Sequence, residues 1–141
     1  MKIMIVDDEF TCKKVLKKVL SNYGECDMFS DGIAAFEAYR TSINEDKPYD
    51  LICLDIMMLE KDAQEILMKI RSFEDVVGIV GMDKVKIIMV TMNNDYEHIN
   101  TDFSEQSEAY INKPITKEKI TQILTQLGLI YSLQDKEEAF L

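Results

Sequence analysis

The sequence predicts a doubly wound α/β domain built on a five-stranded parallel sheet. Three observations lead there. Short apolar runs alternate with amphipathic stretches five times along the chain. The intervals between runs are long enough to hold helices, which parallel strands need and which cover both faces of such a sheet. Four of the five runs end in a polar residue: Asp7-Asp8, Asp55, Thr91 and Lys113. Right-handed crossovers then gather these residues at one edge, where open α/β sheets bind ligands.

Lys2 to Val6 is apolar and β-branched and predicts the first buried strand. Phe10 to Asn22 predicts a helix, with Val15, Leu16, Val19 and Leu20 as its apolar stripe and four lysines on its outer face. Gly24 is its expected stop. Cys26 to Phe29 predicts a weak second strand. Ser30-Asp31-Gly32 opens a second helix, with Ile33, Ala34, Phe36, Ala38 and Tyr39 as candidate core residues. After a polar loop, Leu51 to Leu54 is a short, fully apolar strand that ends in Asp55.

Ala63 to Phe73 predicts a third helix, with Asp62 as its cap and Ile66, Leu67, Ile70 and Phe73 on one stripe. Gly78 and Gly81 interrupt the next apolar stretch, so Asp75 to Asp83 reads as a loop with room for a helical turn. Val85 to Val90 predicts a strong fourth strand, followed by Thr91 and by a short polar helix around Tyr96 to Phe103. Ala109 to Ile111 predicts the fifth strand. Thr116 caps a last helix whose stripe is Ile120, Ile123, Leu124 and Leu127 and whose stop is Gly128.

The net charge of −10 argues against the counterion release that drives nucleic-acid binding, and against an anionic membrane surface. No apolar run approaches the ~20 residues needed to span a bilayer. Cys12, Cys26 and Cys53 show no metal-ligand spacing and read as reduced thiols of a cytoplasmic protein, with a redox role for Cys12 the less ordinary alternative.

The polar edge set is three acids, a hydroxyl and a lysine. For Asp7-Asp8-Glu9 two readings stay open: acids at a helix N-terminus, or carboxylates for a hard cation such as Mg²⁺. The lone histidine, His98, lies outside the edge set, so no Ser-His-Asp arrangement forms. Neither a P-loop nor a GxGxxG motif is present, so nucleotide binding lacks support. An aspartate nucleophile, a cation that lets it approach a phosphoryl group, and a lysine for the phosphate oxygens suit phosphoryl transfer to a carboxylate.

With Asp7-Asp8, Asp55, Thr91 and Lys113-Pro114 each at its strand end, the chain resembles the receiver domain of two-component response regulators from about Lys2 to Leu127. The resemblance implies a flavodoxin-like (βα)5 fold, residues 1–127 as the receiver domain, and a stand-alone, chemotaxis-type regulator. It implies that Asp55 accepts a phosphoryl group from a sensor histidine kinase or phosphotransfer protein. Mg²⁺ would be held by Asp7, Asp8, Asp55 and the main-chain carbonyl of Met57. Lys113 would contact the phosphoryl group across a cis Lys113-Pro114 bond. Thr91 and Tyr110 would move inward as the switch, and a downstream protein target would read the altered surface. Such a domain catalyses its own phosphorylation and slow dephosphorylation but turns over no external substrate.

The sequence departs from the family at Leu59, Lys61 and Ala63 in the loop after Asp55, and at Met92 beside Thr91, which bears on kinetics and partner fit. Residues 128–141 lie past the usual end. Their apolar side chains predict an extra helix or arm that packs on the domain or pairs two copies, so monomer and homodimer both stand. A pseudo-receiver, an interaction domain without phosphotransfer, is the alternative from another class. A haloacid-dehalogenase-type hydrolase needs a second acid where Met57 stands.

Overall fold

The computed structural model describes residues 1–55, 60–92 and 106–131, with the side chains of 60–62 and 92 left aside. The elements run β1 (Lys2–Val6), α1 (Phe10–Leu20), β2 (Glu25–Phe29), α2 (Gly32–Asn44), β3 (Leu51–Asp55), α3 (Glu60–Val77), a 3-10 turn at Gly81–Asp83, β4 (Lys86–Met92), β5 (Ala109–Lys113) and α4 (Lys117–Gln126). The five strands form one parallel sheet in the order β2-β1-β3-β4-β5. This is the doubly wound α/β architecture the alternating pattern predicts.

Strand residues alternate between two apolar layers, as the two-residue period of a strand requires. Met4, Val6, Ile52, Leu54, Ile87 and Met89 pack with Ala35 and Tyr39 of α2 and Ala63, Ile66, Leu67 and Ile70 of α3. Ile3, Ile5, Leu51, Cys53, Ile88, Val90 and Ile111 pack with Cys12, Leu16 and Leu20 of α1 and Ile120 and Leu124 of α4. A sheet sandwiched this way can be apolar on both faces, which is why β3 is buried throughout.

The helices depart from expectation in phase and length. On α1 the buried stripe is Cys12, Leu16 and Leu20, and Val15 turns outward. On α2 Ile33 is 77% exposed and Ala34 is exposed, while Ala35, Tyr39 and Ser42 face inward. In both, the buried set repeats every three or four residues and a neighbouring apolar residue sits off the stripe. The helix after Asp55 starts at Glu60 and runs to Val77, so Asp62 is its third residue rather than its cap, and residues 75–77 of the expected loop form its last turn, while the rest stays outside the helix with a 3-10 turn at Gly81–Asp83. Val76 and Val77 are exposed there.

Gly24 does not stop α1, which ends at Leu20 with Ser21 as C-cap. A Cβ at Gly24 would collide with the Met1 carbonyl, which accepts the Glu25 amide at 3.0 Å. Gly128 is the expected stop of α4. Its φ is +74°, the Gly128 amide donates to Thr125 O and the Leu129 amide to Leu124 O. That is a Schellman closure, and Leu129 and Ile130 pack against the layer of α1 and α4. Asp31 and Thr116 cap α2 and α4 by accepting from Ala34 N and Lys119 N.

A buried ion cluster not legible in the sequence ties α3 to the starts of β4 and β5. Arg71 is 5% exposed and donates to Glu74 Oε1 at 2.7 Å, to both carboxylate oxygens of Glu108 at 2.9 Å, and to the carbonyls of Val85 and Gln106. The carboxylates in turn accept the Val85 and Ile87 amides. Among the described residues no helix is long and apolar enough to cross a membrane. The expected helix at Tyr96–Phe103, with His98, and the arm from residue 132 lie outside the described residues.

Candidate functional site

The site begins with Asp55. It ends β3, between β1 and β4, and is 1% exposed. A carboxylate buried this deeply needs a counter-charge. Lys113, the last residue of β5, supplies one: its Nζ lies 3.2 Å from Asp55 Oδ2. The same ammonium lies 3.2 Å from Glu9 Oε2. Burial alone would lower the Lys113 pKa, but the Asp55 carboxylate, with Cys12 and Glu9, raises it above the ordinary lysine value. Lys113 is therefore firmly cationic.

Asp7, one residue past β1, is fully buried. Its Oδ1 accepts the Glu9 amide at 2.8 Å, and among the described residues its Oδ2 has no hydrogen-bond partner. Neither Asp7 nor Asp8 caps α1. Glu9 holds the N-cap position with extended backbone and makes no side-chain cap bond, since its carboxylate is turned to Lys113. The helix-cap reading of the three acids therefore fails for their side chains. Asp8 is exposed.

Thr91 is fully buried near the end of β4, paired in register with Asn112. Its hydroxyl donates to Asn112 Oδ1 at 2.7 Å. Tyr110 is half-buried on β5 opposite Met89 and packs against the layer of α2 and α3. The Lys113-Pro114 peptide is cis. Met57 and Leu59 lie outside the described residues, as does the side chain of Met92; Ala63 is fully buried in the apolar layer of α2 and α3.

The fold thus brings Asp7, Asp55 and Lys113 together, keeps Thr91 beside them on a neighbouring strand, and leaves Asp8 at the rim. Three participants escaped the sequence reading. Glu9 shares the lysine. Asn112 holds the threonine. Cys12 places its sulfur with the Asp7 and Asp55 carboxylates, one ligand atom from each lying within 4.8 Å of the others. The Cys12–Leu16–Leu20 spacing on a helical period was the available signal for it. Burial, then the neighbouring Asp7 carboxylate, push the Cys12 thiol up to about 12.

Asp7 and Asp55 bring two buried carboxylates to the site while Lys113 pairs with Asp55, which leaves excess negative charge, and Asp7 Oδ2 is unsatisfied among the described residues. This donor set fits a small hard dication that takes carboxylate oxygens.

A family model for the response regulator receiver domain matches residues 3–125. Transcription factor SKN7 of Chaetomium thermophilum is 30% identical over 141 residues, covering 98% of this chain and 17% of that protein. Hybrid signal transduction histidine kinase L of Dictyostelium discoideum is 30% identical over 128 residues, covering 90% of this chain and 7% of that protein. The chain thus spans a small part of the length of these two relatives. Among solved structures, the Saccharomyces cerevisiae co-crystal of the histidine phosphotransfer protein Ypd1 with the receiver domain of Ssk1 aligns with a TM-score of 0.73 at 20% identity, covering 96% of this chain and 93% of that one.

Proposed function

The chain belongs to the response regulator receiver domain family, and from that premise we propose that Asp55 is the phosphoacceptor of a two-component switch. The single observation that carries the reading is the buried Asp55 carboxylate held 3.2 Å from Lys113 Nζ. The donor is a phosphohistidine on a sensor kinase or phosphotransfer protein. Similarity to a histidine kinase and to a receiver crystallised with a phosphotransfer protein supports that donor class.

A carboxylate oxygen of Asp55 attacks phosphorus, the P–N bond breaks, and its electron pair stays on the imidazole nitrogen of the donor. Lys113 shifts from the Asp55 and Glu9 carboxylates to the new phosphoryl oxygens and holds their charge. Thr91 leaves Asn112 and donates its hydroxyl to a phosphoryl oxygen. Asp7, Asp8, Asp55 and the Met57 carbonyl would hold Mg²⁺, which supplies the charge neutralisation that lets an anionic nucleophile meet an anionic phosphoryl group. Water later cleaves the acyl phosphate and restores Asp55. The chain is a signalling module rather than a turnover enzyme.

Phosphoryl contacts favour one of two arrangements of Thr91 and Tyr110, and a downstream protein target reads the difference. Residues 1–127 form the receiver. Residues 128–141 are an extension that packs on it or pairs two copies, and the protein works in the cytoplasm. The decisive experiment is incubation with acetyl phosphate and Mg²⁺ followed by intact-mass measurement. Wild type gains one phosphate and Asp55→Asn gains none. Failure of wild type both to gain phosphate and to bind BeF₃⁻ would overturn the switch in favour of a pseudo-receiver.

A further inference from the structure

The end of α3 leaves apolar side chains in water. Val76 is 84% exposed, Val80 66% and Met82 87%, all within seven consecutive residues. One such residue is ordinary, but apolar residues grouped at the surface mark an interaction site. Val76 also lines a groove of about 360 Å³ between α2 and α3, together with Phe36, Met68 and Phe73. Phe36 and Phe73 meet edge to face there, with ring centroids 6.1 Å apart. Through Val76 the groove continues into the exposed end of α3.

The other end of that track meets the chain as it leaves α4. Leu129 packs with the layer of α1 and α4. It also lines a pocket with Met82 and with Val85, which belongs to the layer of α2 and α3. Asp50 and Lys86, at the starts of β3 and β4, line the same pocket. The chain therefore crosses the edge where these strands begin and emerges beside Met82. Ten residues follow Tyr131, with Leu133 near one end, Phe140 and Leu141 at the other, and charged residues 135–138 between them. Six steps separate Val76 from Met82, a span of at most about 22 Å, and ten extended residues reach about 33 Å.

We propose that residues 132–141 dock on their own domain along this track, with Leu133 against Val80 and Met82, and Phe140 and Leu141 in the groove of Phe36, Met68, Phe73 and Val76. The proposal rests on the reading of residues 128–141 as a packing extension and fixes where it packs. Apolar burial at the two ends drives the docking, and the charges between them stay in water. A short tether holds the segment at roughly millimolar effective concentration, which favours its own domain over a second copy. The track begins at the sheet edge opposite the one that carries Asp55, so phosphorylation proceeds with the segment docked or free.

The chain has no tryptophan, so Phe140→Trp in the full chain places a single fluorescent reporter on the segment. Its emission is expected to lie to the blue of indole in water. Adding Val76→Asp and Val80→Asp, both at exposed positions, returns it to the water value. Adding Val15→Asp, on α1 across the sheet, leaves it unchanged. Thermal unfolding checks that each variant folds. Emission already at the water value overturns both this site and the packing extension. Shielded emission that Val76→Asp with Val80→Asp does not move overturns this site alone, since the segment then packs elsewhere. Emission that changes with protein concentration, with a dimer mass in sedimentation, overturns docking on the same domain in favour of a second copy. The acetyl phosphate experiment reads the phosphoacceptor role separately.

Discussion

The Thr91 hydroxyl is bonded to Asn112 Oδ1 at 2.7 Å, across neighbouring strands and in register. The proposed switch hydroxyl therefore has a resting partner that must release it. A net hydrogen bond is worth about 1 kcal/mol, or roughly fivefold in an equilibrium. Asn112→Ala is expected to tighten BeF₃⁻ binding up to about fivefold, and Thr91→Ala to weaken it. Isothermal titration in Mg²⁺ measures both, and an Asn112→Ala affinity below wild type would show that Asn112 supports the bound state instead.

Asp7→Asn is expected to stabilise the metal-free protein. It removes one of the site's two buried carboxylates, keeps an Oδ1 acceptor for the Glu9 amide and replaces Oδ2, unpartnered among the described residues, with a donor. The gain is about 1 kcal/mol, a rise of a few degrees in Tm. Mg²⁺ raises the wild-type Tm, and the variant loses most of that rise. Scanning calorimetry with and without Mg²⁺ reads the crossing of the two effects.

Stability is expected to fall at alkaline pH, beginning near pH 9. Burial raises the Cys12 and Cys53 thiols from 9.0 to about 12. Lys113 is raised above 10.5 by its carboxylates despite its partial burial. A raised folded-state pKa gives stability that is complete below the unfolded value and is lost as pH climbs toward the folded one. Denaturant midpoints in reducing buffer decline above pH 9, and Cys12→Ser with Cys53→Ser shifts the onset upward. A midpoint that stays level to pH 11 contradicts this.

Arg71→Met leaves Glu74, with 0% exposure, without its cation. Removing one partner of a buried pair costs ~3–5 kcal/mol. Urea unfolding should show a loss of that order, and Arg71→Met with Glu74→Gln should recover part of it. An effect under about 1 kcal/mol would mean that Glu74 takes a proton instead.

The fold was legible because strand period and helix spacing are local properties. Lys2–Val6 and Leu51–Leu54 announce themselves as buried strands, and Thr116 and Gly128 as the two ends of a helix. Less legible was which of several apolar neighbours faces the sheet. Val15 and Ile33 are as apolar as Leu16 and Tyr39, and only the orientation of each helix sorts them. The strand-end acids and lysine were legible since a charge closing an apolar run has few structural uses. Glu9 and Asn112 were not, because their partners are distant in sequence: Lys113 is 104 residues from Glu9 and Asn112 is 21 from Thr91. Arg71 and Glu108 were hidden for the same reason.

The register of the sheet works as a ruler for the site. Asp55 stands opposite Val90 and Thr91 opposite Asn112, so the reacting groups are spaced laterally by strand separation, about 4.8 Å per step. Thr91 shares the parity of Ile87 and Met89, not that of Ile88 and Val90. One residue gained or lost inside β4 would send the hydroxyl to the opposite face and offer a hydrocarbon in its place. The same change in a loop would leave the spacing untouched. The chemistry is therefore brittle toward insertions within strands and forgiving toward change in the connections between them.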